Sequence, residues 1–411
     1  MRYGIFGGSF DPFHNGHLAV VEAALHSGLI DRLWVIPAGL SPFKVGKTMT
    51  LPPYRYLMTV EALKHIPNCE VTPMELLRPG SSYTIETVEH FISEQSITPK
   101  EPIYLFGGSD IFLGLHRWYR AGDLLKLVHP VMVSRPGCDP ADLHTSLIAL
   151  KESFGVEILR IPIREVDVSS SEVRENKDSE KSASTEPLPQ SVRHFIQKHD
   201  LYSAADPLSQ VSPDAIQRYA DNQALLMKNL KPKRLLHSLN VALLAVTYAK
   251  RFGADPDEAF LAGAFHDCTK DLPPQEQLLL AQKWSAQTGE TFSEEFPELW
   301  HGPAGAAYAQ EYFQIKEGEI LSGICYHTIG RCKMTTIEKI IYLADKLEPA
   351  RPYTDLPELR ALAETDLDRA LLACMKQVKA AHARAGKPFH PETERAMEYL
   401  SRQIRQRDDE G

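Results

Sequence analysis

Two histidines in a glycine-rich segment are the first residues whose spacing suggests chemistry. His14 and His17 are three residues apart within Gly7–His17, which follows a strand-like run and opens a helix-like one. At the carboxyl end of a parallel strand, such a turn lets backbone N–H groups approach phosphates, and the helix N-terminus adds positive potential. Histidines placed there can stabilise charge that develops on a pentavalent phosphorus. The residues predicted to line the phosphates are Gly7, Gly8, Ser9 and Phe10.

A second group of candidates consists of histidines and aspartates in an apolar, helical part of the chain. His266 and Asp267 are adjacent at the end of one such segment, where consecutive side chains point in different directions. Asp267 could therefore bridge two ions while His266 binds one, and these ligands suit divalent Fe, Mn, Co or Zn. A His-Asp pair alone is usually a cap or a surface feature, but unpaired carboxylates in apolar helices are costly, which favours a metal site. The other candidates are His237, His301, His327 and Asp345.

The composition is that of a globular protein with two or three domains. The 411 residues are 43% apolar and 24% charged, which excludes a largely disordered chain. The net charge of −9 argues against a protein whose main role is coating nucleic acid or an anionic membrane. No run approaches the roughly 20 apolar residues of a membrane helix, and the N-terminus does not resemble a signal peptide. Six sparse cysteines suit a reducing compartment, so we expect a cytoplasmic protein.

Two hydrophobic patterns divide the chain. Residues 1–165 alternate short β-branched or aromatic runs with helical spacing, which predicts a parallel sheet with right-handed crossovers. The predicted strands are Arg2–Phe6, Leu33–Ile36, Ile103–Phe106, Val131–Val133 and Val156–Leu159. From Pro213 onward the spacing is helical almost throughout. We therefore expect a doubly wound, Rossmann-like α/β domain at residues 1–203 and an all-α bundle at residues 204–411.

The boundary between the two patterns follows a polar stretch. Residues 175–189 are low in apolar content, and we assign no chemistry to them. A short helix is expected next at Ser191–Tyr202, so we place the domain boundary near Ser203–Pro213. The helices expected beyond it include Leu235–Phe252, Asp257–Phe265, Thr336–Leu347 and Leu359–Ala381.

The glycine-rich segment carries a pattern known from one enzyme superfamily. Its shared positions are Gly8, Phe10, Pro12, His14, Gly16 and His17. The chance of this combination in a chain of this length is on the order of 10⁻⁶ to 10⁻⁵. The segment resembles the nucleotidyltransferases of the His-x-Gly-His superfamily, and residues 1–203 are most similar to bacterial nicotinate-nucleotide adenylyltransferases. The resemblance implies that His14 and His17 assist attack on the α-phosphorus of a nucleoside triphosphate.

The phosphate-binding segments of that family have counterparts further along the chain. Lys44 ends a proline-rich loop and would contact ATP phosphates, although Phe43 stands where the family usually has histidine. The segment Val168–Arg174 resembles a serine-rich family signature at a helix start. The residues implied to hold the β- and γ-phosphates are Ser169, Ser170, Ser171 and Arg174.

The acceptor-binding segments of the family also have counterparts. Thr84 lies in a stretch that resembles the family's pyridine mononucleotide segment, where Glu86 replaces the common aspartate. Asp110 and Trp118 resemble the family's acidic turn and the aromatic residue that stacks on nicotinate. The resemblance therefore implies that these side chains surround the acceptor nucleotide.

The helical half of the chain resembles a second family. Residues from about 213 to 405 are similar to the HD superfamily, and specifically to bacterial symmetrical diadenosine tetraphosphate hydrolases. The resemblance is carried by stretches that include Ala262–Lys270, His301–Pro303, His327–Gly330 and Ala344–Arg351. The metal ligands that it implies are His237, His266, Asp267, His301, His327 and Asp345. Lys270 and Arg351 are candidates for phosphate contacts, with solvated surface positions as the alternative.

Together the resemblances imply a bifunctional enzyme of NAD biosynthesis. Its first reaction would transfer adenylate from ATP, accompanied by Mg²⁺, to nicotinate mononucleotide and release pyrophosphate. Its second reaction would hydrolyse diadenosine tetraphosphate to two ADP with the help of two divalent ions. Fe is the expected metal, and Mn, Co or Zn are the alternatives. The expected partners are these small nucleotides, without nucleic acid or membrane. A linking hypothesis is that the hydrolase removes by-products of misdirected adenylyl transfer.

Other functions suit the same residues. The first half could instead adenylylate nicotinamide mononucleotide or phosphopantetheine. The second half could cleave another nucleotide, such as an alarmone or a nucleoside monophosphate. It could also be a binding or regulatory module without activity, although an intact set of candidate ligands argues against this alternative.

Overall fold

The chain forms two compact units in the computed structural model. They comprise Met1–Tyr202 and Ser203–Gly411. The residues that the structure describes are 1–39, 49–78, 82–98, 101–133, 140–163, 168–175, 187–203, 206–290, 292–351 and 356–410. Every helix within those residues is too short or too polar to cross a membrane.

A six-stranded sheet forms the centre of the first unit. Its strands are β1 (Tyr3–Gly8), β2 (Arg32–Pro37), β3 (Cys69–Val71), β4 (Ile103–Gly108), β5 (His129–Val133) and β6 (Leu159–Ile161). They pair in parallel in the order β3–β2–β1–β4–β5–β6, with Phe6 of β1 opposite Val35 of β2 and Phe106 of β4. The chain changes direction across the sheet between β1 and β4, which is where such folds bind ligands. The predicted doubly wound α/β fold is confirmed.

Helices connect these strands and cover the sheet. They are α1 (Asn15–His26), α2 (Pro52–Leu63), α3 (Thr84–Glu94), α4 (Ser109–Gly114), α5 (Ala121–Leu127), α6 (Pro140–Phe154), α7 (Ser170–Glu175) and α8 (Gln190–Lys198), with a 3₁₀ turn at Leu115–Arg117. On α1, the spacing of Val20, Val21 and Ala24 produces one buried face. Helix α3 places Phe91 edge-to-face on Trp34 of β2, with ring centroids 5.3 Å apart. Burial of such side chains, worth roughly 1.5–3 kcal/mol each, holds the helices on the sheet.

Two predicted elements of the first unit are shifted. The last strand is β6 rather than Val156–Leu159, because Val156 and Ile158 pack against the hydrophobic core before strand pairing begins. The predicted helix over Ser191–Tyr202 ends at Lys198 as α8. The chain then turns through Asp200 and Tyr202, which both have positive φ angles that an α-helix does not allow.

The described residues of the second unit form helices and contain no strand, which confirms the all-α prediction. The helices are α9 (Pro213–Asn229), α10 (Pro232–Phe252), α11 (Pro256–Phe265), α12 (Pro274–Thr288), α13 (His301–Tyr312), α14 (Gly318–Tyr326), α15 (Thr336–Leu347), α16 (Leu356–Ala363), α17 (Leu367–Arg384) and α18 (Pro391–Glu410). Helix α10 packs against both α11 and α15. Gly263 permits its close contact with α11, since a β-carbon there would lie 2.6 Å from Cα of Ala242.

The predicted helix Leu359–Ala381 is two helices. It is interrupted between α16 and α17, where Asp366 adopts an extended conformation and its carboxylate accepts a hydrogen bond from the backbone N–H of Arg369 at 3.0 Å. Aspartate is a favoured N-cap because its side chain satisfies a donor that a helix start leaves unpaired. The apolar spacing continues across this point, so it does not indicate the break between α16 and α17 that the Asp366 cap produces.

Candidate active sites

The first candidate site is built on the turn between β1 and α1. His14 is the N-cap of α1, and its Nδ1 accepts a hydrogen bond from the backbone N–H of His17 at 3.3 Å. The backbone N–H of His14 donates in return to Nδ1 of His17 at 3.2 Å. Two imidazoles thus form the reciprocal capping box that serine and glutamate usually make. Because both Nδ1 atoms accept, each neutral ring carries its proton on Nε2, where it can be donated to phosphate oxygen.

The two histidine rings are held face to face. Their centroids are 3.7 Å apart with an interplanar angle of 23°, and His14 is only 2% exposed. Gly16 leaves room for this arrangement, since a β-carbon at that position would lie 3.0 Å from the His14 ring. Phe10 packs edge-on against His17 with ring centroids 4.9 Å apart. The motif therefore packs its own side chains around two fixed imidazoles.

A buried arginine that the sequence motifs did not indicate anchors this turn. Arg55 is 1% exposed and donates to three carbonyl oxygens, those of Ser9 at 2.6 Å, Gly39 at 3.0 Å and Thr50 at 2.9 Å. Burial lowers the pKa of its guanidinium. The signal in the sequence is an arginine on the apolar face of α2, three residues before Met58.

Asp11 connects the same turn to distant parts of the unit. Its Oδ1 accepts a hydrogen bond from the Tyr202 hydroxyl at 2.8 Å, and its Oδ2 accepts one from the backbone N–H of Thr50 at 3.3 Å. Burial and the nearby Asp11 carboxylate raise the pKa of Tyr202 well above its ordinary value, so the hydroxyl stays protonated and donates. The guanidinium of Arg174 donates to the carbonyl of Asp11. These contacts join the C-terminal part of the unit, through Arg174 and Tyr202, to the turn between β1 and α1.

A cavity of about 750 Å³ opens at the carboxyl ends of β1 and β4. The predicted site residues that line it are Gly7, Gly8, Ser9, Phe10, His14, His17, Thr84, Trp118, Ser169 and Ser170. They come from four separate segments of the first unit, which the sheet topology brings to one edge. A cavity of this size can hold a nucleotide-sized ligand.

The remaining predicted residues of this site have other positions. Ser171 and Arg174 lie on α7 but do not line the described cavity, and Arg174 Nη2 donates to Ser171 Oγ at 3.2 Å. Asp110 belongs to α4, and its side chain lies outside the described part of the structure. Lys44 also lies outside the described residues.

Glu75 is a cavity residue that the sequence did not indicate. It is 8% exposed, and its Oε1 accepts a hydrogen bond from the Thr87 hydroxyl at 2.8 Å. Burial raises the pKa of the Glu75 carboxyl, against the opposing effect of Thr87, Ser82 and Arg78. No apolar periodicity surrounds Glu75, so the pattern of residues offers no signal for it.

The second candidate site is a buried cluster in the second unit. His237, His266 and Asp267 form one group of potential ligand atoms, and Asp267, His301 and His327 form another, with the atoms of each group within 4.8 Å of one another. Asp345 completes the cluster, with its Oδ1 2.9 Å from Nε2 of His237. The structure therefore brings all the predicted metal ligands together, with Asp267 shared by both groups.

Five helices supply these side chains. His237 lies on α10 and Asp345 on α15, while His266 and Asp267 directly follow α11. His301 begins α13, and His327 follows the last residue of α14. Residues from separate helix ends converge because α11 packs against α10, α14 and α15.

The ring orientation of His266 and His327 favours metal binding. Nδ1 of His266 lies 2.7 Å from the carbonyl of Gly263, and Nδ1 of His327 lies 2.7 Å from that of Ile324. These contacts place the proton on Nδ1 and leave Nε2 as the electron-pair donor. Nε2 of His266 is buried without a hydrogen-bond partner, and burial lowers the pKa of this ring to about 3. A buried, neutral imidazole with an unused nitrogen is suited to a metal ion.

The carboxylates of the cluster are ionised. Burial opposes their ionisation, but the surrounding His266, His301 and His327 hold the pKa of Asp267 well below its usual range. Asp267 Oδ1 lies 3.4 Å from Nε2 of His301 and 3.6 Å from Nε2 of His327. For Asp345, Lys346 and His237 likewise outweigh burial and lower the carboxyl pKa. Anionic oxygens beside neutral imidazoles are the donor set of divalent transition metals.

Glu348 supports the cluster from behind His237. Its Oε1 lies 3.2 Å from Nδ1 of His237, and its Oε2 accepts a hydrogen bond from Asn240 at 2.8 Å. A carboxylate on the far nitrogen orients an imidazole and makes it a better ligand. Glu348 follows α15 directly, one helical turn after Asp345, and this spacing is the signal for it in the sequence.

Cations surround the cluster. The two predicted ones are Lys270, whose Nζ lies 2.8 Å from Nδ1 of His301, and Arg351, whose Nη2 lies 2.7 Å from Oδ1 of Asp345. Arg234, which the sequence did not single out, lies 2.9 Å from Oδ2 of Asp267. These three positive charges can hold phosphate oxygens next to the cluster.

Models of two protein families match the two units. Residues 5–176 match the family described as Cytidylyltransferase-like, and residues 234–350 match the HD domain. The HD match and the histidine–aspartate cluster together indicate a divalent-metal site in the second unit.

Curated proteins match each half and nearly the whole chain. A probable nicotinate-nucleotide adenylyltransferase of Thermoanaerobacter sp. is 35% identical, covering 49% of this chain and 94% of that protein. The symmetrical bis(5′-nucleosyl)-tetraphosphatase of Bacillus subtilis is 38% identical, covering 41% of this chain and 90% of that protein. A probable nicotinate-nucleotide adenylyltransferase/Ap4A hydrolase of Mycoplasma pneumoniae is 29% identical, covering 92% of this chain and 98% of that protein.

Proposed function

Because the chain belongs to the nicotinate-nucleotide adenylyltransferases in its first half and to the symmetrical bis(5′-nucleosyl)-tetraphosphatases in its second, we propose that it catalyses both reactions. The transferase is assigned to residues 1–203 and the hydrolase to residues 204–411. The observation that supports this most directly is that each unit has a site of its own, a cavity lined by His14 and His17 in the first and a histidine–aspartate cluster in the second. The sparse cysteines favour a reducing, cytoplasmic compartment.

The first reaction joins nicotinate mononucleotide and ATP. The 5′-phosphate of the acceptor attacks the α-phosphorus of ATP in line, and pyrophosphate leaves, so no protein nucleophile is needed. His14 and His17 donate from Nε2 to the oxygens on which charge develops. Ser169 and Ser170, which line the same cavity, bind the leaving phosphates. Mg²⁺ accompanies the triphosphate and is held mainly by substrate oxygens.

Further residues, some of them outside the described cavity, complete the proposed phosphate and acceptor sites. Arg174 and Ser171 extend phosphate binding from α7, and Lys44 is proposed to contact the ATP phosphates. Trp118 stacks on the pyridine ring while Thr84 borders the acceptor. Asp110 is proposed to contact the nucleotide from the start of α4.

The second reaction cleaves diadenosine tetraphosphate into two ADP. When bound, a pair of divalent ions, with Fe proposed ahead of Mn, Co or Zn, supplies charge neutralisation and activation of the attacking water. Asp267 is placed to serve both ligand groups, since its carboxylate faces histidines on each side. Lys270 and Arg351 hold the phosphate oxygens and orient the anhydride for cleavage.

An acceptor screen tests the transferase. Pyrophosphate release from ATP is measured on the purified full chain with nicotinate mononucleotide, nicotinamide mononucleotide and phosphopantetheine. We expect nicotinate mononucleotide to have the highest kcat/KM. A clear preference for either of the other acceptors would support adenylyl transfer by this unit but contradict nicotinate mononucleotide as its acceptor.

A metal-dependence assay tests the hydrolase. ADP release from diadenosine tetraphosphate is measured before chelation, after chelation and after addition of each candidate ion, together with the bound-metal content. Activity that disappears and returns with the metal supports the proposal. A chain that neither binds metal nor releases ADP would instead support a regulatory binding module.

The fusion itself suggests a reason for the second activity. Adenylyl transfer to phosphates other than the intended acceptor produces dinucleoside polyphosphates, and a tethered hydrolase would remove them. By-product accumulation is compared between the intact chain and a chain whose hydrolase is inactivated by Asp267→Ala. Equal accumulation in both would rule out this link.

A further inference from the structure

Arg117 brings a positive charge to the acceptor side of the transferase cavity. It ends the 3₁₀ turn Leu115–Arg117, directly before Trp118, and both side chains line the cavity. Its Nη2 lies 3.4 Å from where a β-carbon of Gly114 would be, so the guanidinium folds back over that glycine. Apart from the two histidines, Glu75 and Arg117 are the charged side chains among the described lining residues.

The Arg117 guanidinium has no ionic partner among the described residues. Within the described residues its guanidinium forms neither an ion pair nor a hydrogen bond, and it is exposed. Arg120, three residues later, differs in this respect because it binds Glu89 at 2.8 Å and Asp123 at 3.2 Å. Glu75, on the same cavity, is already engaged by the Thr87 hydroxyl. Among the described lining residues, Arg117 is therefore the charged side chain that remains available to a ligand in this cavity.

Arg117 belongs to a different segment of the chain from the proposed phosphate contacts. The proposed phosphate contacts, His14, His17 and the serines of α7, belong to the β1–α1 turn and α7, whereas Arg117 belongs to the segment that follows β4. Its chain neighbour Trp118 is the proposed stacking surface for the pyridine ring. A guanidinium next to that ring is placed to meet a substituent of the ring.

We propose that Arg117 is a specificity-determining residue that selects an acceptor whose aromatic ring carries a carboxylate over one that carries a carboxamide. This inference rests on the proposed transferase function. A guanidinium can donate two parallel hydrogen bonds to a carboxylate and gains charge complementarity that a neutral amide does not offer. Because the site is open to solvent, screening limits this gain. We expect Arg117 to raise the ratio of kcat/KM for the acid over the amide acceptor about tenfold, or roughly 1.4 kcal/mol.

The test compares two acceptors that differ only in that group. The kcat/KM values for nicotinate mononucleotide and nicotinamide mononucleotide are measured on the full chain for the wild type, Arg117→Gln, Arg117→Lys and Arg120→Gln. We expect Arg117→Gln to lower the acid-to-amide ratio about tenfold, and Arg117→Lys to recover part of it. Arg120→Gln, which removes a guanidinium outside the cavity, should leave the ratio unchanged.

Each other outcome is decisive. A ratio unchanged by Arg117→Gln overturns the inference, and so does an equal fall for both acceptors, which would make Arg117 a contact of the shared phosphate. A wild type that uses both acceptors equally well also overturns it while leaving the transferase function intact. A wild type that uses neither overturns the proposed function itself. Thermal unfolding of each variant confirms that the fold is preserved.

Discussion

Nε2 of His237 lies 2.9 Å from Oδ1 of Asp345, although 108 positions separate the two residues in the chain. The contact exists because α10 and α15 pack side by side. It places one ligand from each helix at the same point of the buried cluster. The metal site of the second unit is therefore a product of helix packing, and its supporting residues can be tested apart from its ligands.

Glu348→Gln should weaken metal binding without removing a ligand. Glu348 orients His237 through its Nδ1, and loss of such a supporting carboxylate typically lowers metal affinity about 10- to 100-fold. Metal titration of the chelated full chain measures the affinity, and adenylyl transfer should be unchanged. Glu358→Gln, an exposed position on α16, is the matched control. Unchanged affinity in Glu348→Gln would mean that the contact does not support the metal.

The two activities should be separable by single substitutions. His17→Ala and His14→Ala should lower adenylyl transfer at least about 100-fold by removing donors to the developing charge, while hydrolysis persists. Asp267→Ala should do the reverse, because it removes a ligand shared by both groups. Both reactions are assayed on each purified variant.

His26→Ala is the control for the histidine variants, since His26 is an exposed residue on the same helix, α1. It should retain transfer. His14→Ala also removes an N-cap, so its thermal unfolding is measured as well; a cap is worth about 1 kcal/mol. If a folded Asp267→Ala variant lost both reactions, the two sites would not be independent.

Arg55→Leu should destabilise the first unit. It leaves the carbonyls of Ser9, Gly39 and Thr50 without their donor, and each buried unsatisfied group costs about 1–3 kcal/mol. We expect the free energy of unfolding to fall by roughly 3 kcal/mol or more, measured by denaturant titration. Hydrolysis by the second unit should persist.

Arg32→Leu provides the comparison for Arg55, because Arg32 is exposed on β2. It should change the stability by less than about 0.5 kcal/mol. A similarly small change for Arg55→Leu would contradict the anchoring role of the buried guanidinium.

The pair between Arg218 and Glu317 should contribute a pH-dependent part of the stability. Hydrogen bonding to Arg218 lowers the pKa of Glu317 from 4.5 to about 2. A lowered carboxyl pKa stabilises the fold above the unfolded value, so this contribution is complete above pH 4.5 and is lost as the pH falls towards 2. Because the Glu317 side chain is 39% exposed, screening keeps it at about 1 kcal/mol or less.

Denaturant titrations of the wild type and Glu317→Gln from pH 7 downward test the pair. The difference in free energy of unfolding should shrink below pH 4.5. Glu319→Gln is the control, since Glu319 lies on α14 without an ion pair among the described residues. A difference that stays constant with pH would show that the ion pair contributes nothing.

The elements that the sequence predicted well are those with strong local signals. Helix α15 has the predicted bounds, Thr336–Leu347, because its apolar spacing is regular and a Thr335–Glu338 capping box defines its start. The short strand β3, by contrast, was not predicted, since three residues carry too little periodicity. Pairing with β2, a non-local interaction, makes it a strand.

The sequence by itself determined the class of each half and the identity of its motif residues. Hydrophobic period and turn residues are local properties, so a parallel α/β unit, a helical unit and the spacing of His14 and His17 could be read directly. Only the tertiary structure decided which side chains meet. Arg55, Glu75 and Arg117 acquire their positions from segments that pack together, and a linear pattern does not encode the contacts of a single polar residue.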